Sequence, residues 1–241
     1  MKQIYIYTFA ALLGVSLVCC TPQKENTSVI VDIISKLSFD DVANHDVTYG
    51  VAYDIDSNEY KTLQIGEYEW FAQNLRTKTL QDGTPISVVS ENETWAKTTE
   101  AACCSYNNAE CTEVTGMLYN YKAVQTNQIC PEGWEVASDS VWINLADNFN
   151  GVDRAGVDLK ANNVWNEKQK TTNASGFSAV PTGFREREGK YYIMGKNAIW
   201  WSADPHNAEN AKYFYIDNNE SLNGSHIVRE VGLSVRCVKK H

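Results

Sequence analysis

The chain has 241 residues, 43% of them apolar and 21% charged, and carries a formal net charge of −9. This composition excludes a disordered chain and is long enough for a sizeable core in one large or two small domains. Acidity without any basic stripe argues against a nucleic-acid partner, since nothing is available to neutralise phosphates.

The N-terminus has export grammar. Lys2 precedes the apolar run Ile4 to Val18, which is short for a membrane span and is followed at once by Cys19 and Cys20. "LVCC" (17–20) resembles the lipobox of bacterial lipoproteins, with Leu17 three positions before Cys20. Residues 1–19 are therefore expected to be a signal peptide and Cys20 the lipidated residue; a cut before Cys19 is the second choice. Residues 20–46 read as a tether, with "VIVDIISKL" (29–37) as a short helix or strand docking on the globule. The lipid is the expected membrane contact, which places the protein on the outer membrane, at the cell surface.

The remaining chain, 47–241, is expected to be one domain of short strands. Val51–Leu75 reads as a strand, a turn at Asp56-Ser57-Asn58, and a strand with Lys61, Leu63 and Ile65 on one face; Gly66-Glu67 then turns the chain towards Trp70. Gln81–Ile86 is turn chemistry. Ser90–Glu113, polar and cysteine-bearing, reads as a loop or small insertion, and Gly116–Val124 as a strand or the edge of a helix. Ser138 is a plausible N-cap with Asp139 in the first turn. Val141, Trp142, Leu145 and Phe149 form a helical face that Gly151 closes. "FRERE" and "KYYIM" flank Glu188-Gly189 as a hairpin, and "NAIWWSA", "KYFYI" and "GLSVRCV" are further strands. The class is α+β: largely antiparallel strands with one or two helices.

Five cysteines lie beyond the leader: Cys103, Cys104, Cys111, Cys130 and Cys237. An exported chain tends to oxidise its thiols. Spacing favours Cys130 with Cys237, and alternation in "GLSVRCV" turns Cys237 to the apolar side. Cys111 then takes Cys103 or Cys104, with Cys104 preferred, and one thiol is left over. Cys130 as a nucleophile lacks a recognisable base, because His45, His206, His226 and His241 have no triad context.

"YKTLQIGEYEWFAQNL", "DGTPI", "GMLYNYKAV", "ICPEGWEVASDSVWINL", "NASGFSAVPTGFRE", "AIWWSA" and "GLSVRCVKK" follow in that order. They resemble the Fibrobacter succinogenes major paralogous domain of secreted proteins and lipoproteins from Bacteroidetes, over roughly Tyr53 to Lys240. Phe71, where a methionine is common, and Ala137, where a proline is usual, depart from that pattern. The resemblance implies a C-type-lectin-like fold, in which a cysteine before a helix bonds one in the last strand, and a non-catalytic binding role.

Lectins of that fold hold calcium through an "EPN" loop and a "WND" strand. Here the strand reads "WWSADP", with Ser202 and Ala203 at the ligand positions, and Asp204 alone supplies too few oxygens. No metal site and no cofactor are expected, although backbone carbonyls elsewhere leave a structural calcium open. His206 and His226 lack a third zinc ligand. Arg185 and Arg236 read as structural arginines paired with carboxylates.

Recognition residues are sought among aromatics and in the polar stretch Asp204–His226: Tyr192, Trp201, Asp204, His206, Asn207, Tyr213, Asn218 and Asn219. The expected partner is an extracellular glycan or protein. An envelope or fimbrial assembly subunit without a small ligand is the alternative, and an oxidase like the formylglycine-generating enzymes a remote one.

Overall fold

The computed structural model describes residues 32–165 and 169–240; the expected signal peptide, Cys20 and the first part of the tether lie outside them. The chain builds β1 (Gly50–Tyr53), β2 (Glu59–Ile65) and β3 (Tyr68–Phe71), then β4 (Ser87–Val88), β5 (Ala102–Cys104) and β6 (Leu118–Tyr119). Next come β7 (Glu135–Val136), the hairpin β8 (Phe184–Arg185) and β9 (Tyr191–Tyr192), the long strands β10 (Ala198–Pro205), β11 (Asn210–Ile216) and β12 (Asn223–Val228), and β13 (Cys237–Lys240). A five-stranded sheet has the order β1-β2-β3-β13-β7, so the C-terminal strand is inserted between β3 and β7. All its pairings are antiparallel, as are those of the sheet β10-β11-β12. The architecture is α+β.

Neighbouring residues on several strands serve two different cores. Trp70 and Phe71, Cys104 and Cys103, and Trp200 and Trp201 each send the first-named side chain into a main core and the second into another. Side chains alternate across a strand, so a strand covered on both faces must be apolar at consecutive positions. This resolves the paired tryptophans: both are fully buried, one in each layer. In "GLSVRCV", Leu233, Val235 and Cys237 do share the second core, while Arg236 and Val238 are buried on the other side.

The predicted helix is present as Asp139–Asp147, the longest of those described. Trp142 sits at the centre of the main core, stacked on Trp200 and Phe214 at 5.3 and 5.6 Å and tilted against Trp70 at 5.1 Å. Gly151, at φ 80°, donates its N–H to the Ala146 carbonyl and ends the turn. Four further short helices, Phe39–Val42, Asn92–Lys97, Tyr121–Val124 and Ala155–Leu159, exceed the one or two expected. Four to six residues are too few to show a helical period in sequence.

Two segments differ from expectation. Ser90–Glu113 is not a surface loop: it carries β5, whose three residues are all buried between β4 and β6. Asp204–His226 is two strand connections rather than one open loop: it runs from the end of β10 through β11 to the start of β12. Within the tether, Ile34, Phe39 and Val42 are buried in the main core, and a helical turn is described at 32–34.

Arg185 and Arg236 are structural, but their partners are carbonyls rather than carboxylates. Arg185 donates to the carbonyls of Gly189, Val89 and Ser90, and lies over Trp95 and Tyr191. Arg236 donates to the Phe71, Phe177 and Ser178 carbonyls and covers the Phe177 ring. Burial brings the Arg236 guanidinium down to about 9.

Cys130 and Cys237 are bonded, with S–S 2.02 Å and Cα atoms 5.8 Å apart across 107 residues of chain. The expected Cys104–Cys111 bond is absent: Cys103, Cys104 and Cys111 are all thiols. The reason is again alternation. Cys104 faces the main core, whereas Cys111 packs against the second.

Candidate functional site

The sheet β10-β11-β12 sets Trp201 opposite Tyr213 and Tyr213 opposite Ser225; one step along, Ile199, Tyr215 and Asn223 form the next row. Trp201 and Ile199 are covered by the second core, but the two tyrosines emerge at its margin, 5.7 Å apart. The β8–β9 hairpin closes one side. There Phe184 and Tyr192 pair across the strands and stack at 5.8 Å and 30°. Between these elements lies a cavity of about 130 Å³ lined by Phe184, Ile193, Asn197, Tyr213, Tyr215 and Ile227.

Local backbone features seat the hairpin. Gly183 has φ 64°, and a Cβ there would run into the Tyr192 carbonyl, so glycine allows β9 to approach. Ile193 is held at φ 57°, an uncommon conformation for a β-branched residue that stores roughly 1 to 3 kcal/mol. Its carbonyl receives the N–H groups of Lys196 and Asn197, which hold the strained turn against the cavity.

The shelf is chemically amphipathic. Its aromatic faces suit the C–H faces of a sugar ring or apolar side chains, and the tyrosine hydroxyls with the Asn197 amide offer polar contacts. Burial, and then Asp217, raise the Tyr215 hydroxyl above its ordinary value, so it stays a protonated donor at neutral pH.

Of the residues singled out in sequence, Tyr213 lines the cavity and Tyr192 stacks on Phe184, which also lines it. Tyr192 is 41% exposed. The others do not join them. Trp201 is 0% exposed, donates its indole N–H to the Tyr119 carbonyl at 2.7 Å and packs against Tyr121, so it is a core residue and not a ligand platform. Asp204 accepts the Asp139 N–H at 2.8 Å and caps the central helix in place of the Ser138 hydroxyl, which pairs with Ser140. Ser202 and Lys212 complete this cap by donating to the Asp139 carboxylate, and that contact raises Lys212.

His206 and His226, twenty residues apart, stack face to face at 3.9 Å beside Asp139 and Lys212. Asn207 spends its side-chain carbonyl on the Glu209 and Asn210 N–H groups of its own turn. Asn218 and Asn219 lie on the connection after β11, where Asn218 accepts from Gln169 and the Asn219 carbonyl from Lys160. Sequence reasoning missed Phe184, Ile193, Asn197, Tyr215 and Ile227. Only Tyr215 had a legible signal, its two-residue spacing from Tyr213.

A polar cleft of about 430 Å³ beside the disulfide, lined by Asp54, Thr77, Gln81, Gln128 and Glu132 among others, is larger. Some of its polar groups are already hydrogen-bonded, whereas the buried Gln128 Oε1 has no partner among the described residues. Asp54 accepts from Asn58 and from Tyr60 at 2.6 Å, and Gln81 donates to the Cys130 carbonyl at 2.5 Å.

The family model described as the Fibrobacter succinogenes major domain matches residues 63–239. No curated protein and no solved structure matches the chain.

Proposed function

The chain belongs to the Fibrobacter succinogenes major domain family, and from that premise we propose that it is a non-catalytic, lectin-like binding module, lipidated at Cys20 and exposed on the outer membrane. Its shelf takes an extracellular glycan or protein. One observation carries this reading: Phe184, Tyr213 and Tyr215 line one cavity with Asn197 at its wall, and Tyr192 stacks on Phe184 beside it. Recognition rather than thiol chemistry is supported by the cysteines. Cys237 is held by Cys130, and burial raises Cys103 and Cys104 away from the reactive thiolate.

The test is a glycan array and an extracellular-matrix panel, run with the wild-type chain and with Tyr192→Ala and Tyr215→Ala. The reading expects a ligand whose binding both substitutions reduce at least tenfold, with folding unchanged. Absence of any ligand, or binding indifferent to both tyrosines, refutes it.

An assembly role is favoured by a different observation. Edge strand β1 exposes Val51 and Tyr53 on alternate positions, and Ile55 continues the series. An apolar exposed edge is a template for another strand. Stoichiometric envelope partners lost on Val51→Lys, together with no ligand on the shelf, would establish that role instead.

A further inference from the structure

We propose that Cys103 and Cys111 form a second disulfide under oxidising conditions, leaving Cys104 as the odd thiol. Strand alternation makes the choice. On β5, Cys103 pairs with Tyr119 and faces the second core, whose margin Cys111 packs against. Cys104 points the other way, into the main core, with its thiol directed at Arg185 and Tyr191. The chain between them turns back on itself through Asn107 and Asn108, both in the left-handed region at φ 50° and 55°. Cys111 lies on the Cys103 side, packed against the core that holds Cys103 and its strand partner Tyr119.

The thiols differ in access. Cys103 is fully buried and Cys111 half-buried. Burial pushes Cys111 up to about 11, with Arg76 and Lys78 drawing it back down. Cys111 is therefore the first to react with a small-molecule disulfide. Its thiolate attacks one sulfur, the S–S bond of the oxidant breaks, and one thiol leaves. Cys103, deprotonated in turn, attacks the Cys111 sulfur of the mixed disulfide and expels the second thiol. Two protein thiols are oxidised and one disulfide is reduced to two thiols, so atoms and electrons balance.

The bond would fasten the 104–110 segment, which touches the binding hairpin through the Tyr106–Tyr191 ring contact and the Tyr191 hydroxyl on Asn108.

The test uses the full chain with Cys130–Cys237 intact, exposed to glutathione disulfide at mildly alkaline pH. It is then unfolded, alkylated without reduction and cleaved after Glu110. The expected product is two hydrogens lighter, has peptides joined through Cys103 and Cys111, and carries the alkyl group on Cys104. Fragmentation between residues 103 and 104 makes this assignment in the unmutated chain. Cys104→Ser should oxidise as wild type does, and Cys103→Ser should leave Cys104 and Cys111 alkylated. Three alkylated thiols, a bond through Cys104, or a glutathione adduct that stays on Cys111 would overturn the proposal.

Discussion

Asn74 and Arg236 meet in the main core across 162 residues of chain: the Arg236 Nε donates to the Asn74 Oδ1 at 2.8 Å. The same oxygen receives the Trp200 indole N–H at 2.8 Å, and the Asn74 amide donates to the Thr115 carbonyl. One side chain thus serves β10, the segment before β13 and the stretch leading into β6. Asn74→Leu strands a buried guanidinium donor and an indole donor together. It is expected to cost about 3 to 5 kcal/mol in urea unfolding. Adding Arg236→Met to Asn74→Leu should cost less than the sum of the single losses, because the unpaired charge goes with the arginine.

The disulfide between Cys130 and Cys237 closes most of the C-terminal half, its ends 107 positions apart. Replacing both cysteines with alanine should lower stability by roughly 4 to 5 kcal/mol in the chain-entropy account. Reduction of the wild-type chain should do the same, and equal urea midpoints for the reduced and oxidised chains would refute the prediction.

Two aromatic residues with similar sequence surroundings should behave in opposite ways. Trp201→Ala opens a cavity and frees the Tyr119 carbonyl, so a loss of about 3 to 5 kcal/mol is expected. Tyr192→Ala should cost far less, about 1 kcal/mol or under, since the residue is 41% exposed and its ring loses only the stack on Phe184. Thermal melts of the two variants provide the comparison.

Lys160 supplies a pH signature. Its side chain is buried, with Nζ donating to the Asn219 carbonyl and Gln169, and burial brings it down to about 8 despite Asp217 and Glu220. Between about 8 and the ordinary lysine value of 10.5, the unfolded chain holds a proton that the folded chain has released. Stability contributed at this site therefore rises with pH through that window. Measured against Lys160→Met, the wild-type urea midpoint should gain as pH climbs from 8 to 10.5; a constant difference would contradict the assignment.

Asp204→Ala should lower stability by about 1 kcal/mol through loss of the cap on the central helix. Circular dichroism during thermal unfolding would register it. Ser138→Ala should have a smaller effect, because its hydroxyl is turned to Ser140.

Elements whose information is local were legible beforehand. The helix at 139–147 has its period, its acidic first turn and its terminating glycine within a dozen residues. The β8–β9 hairpin has its turn at Glu188-Gly189, and "GLSVRCV" alternates strictly. β5 was misread because "AACCSYNNAEC" is short and flanked by polar residues. Its burial comes from β4 and β6, which lie at other places in the chain. His206 and His226 form a stacked pair only because β10 and β12 flank β11.

By itself, the order of residues determined the α+β class, the family blocks, the central helix and the partnership of Cys130 with Cys237. The class, the blocks and the helix rest on patterns carried along single stretches, and the cysteine pairing on spacing and on the alternation around Cys237. The tertiary structure alone decided that Trp201 is core while Tyr215 is half-buried at its margin, that Asp204 caps a helix, and that Cys104 turns away from Cys111. Alternation says that neighbouring strand residues face opposite sides. Which of those sides is covered depends on what packs there, and that is settled by contacts between segments far apart in sequence.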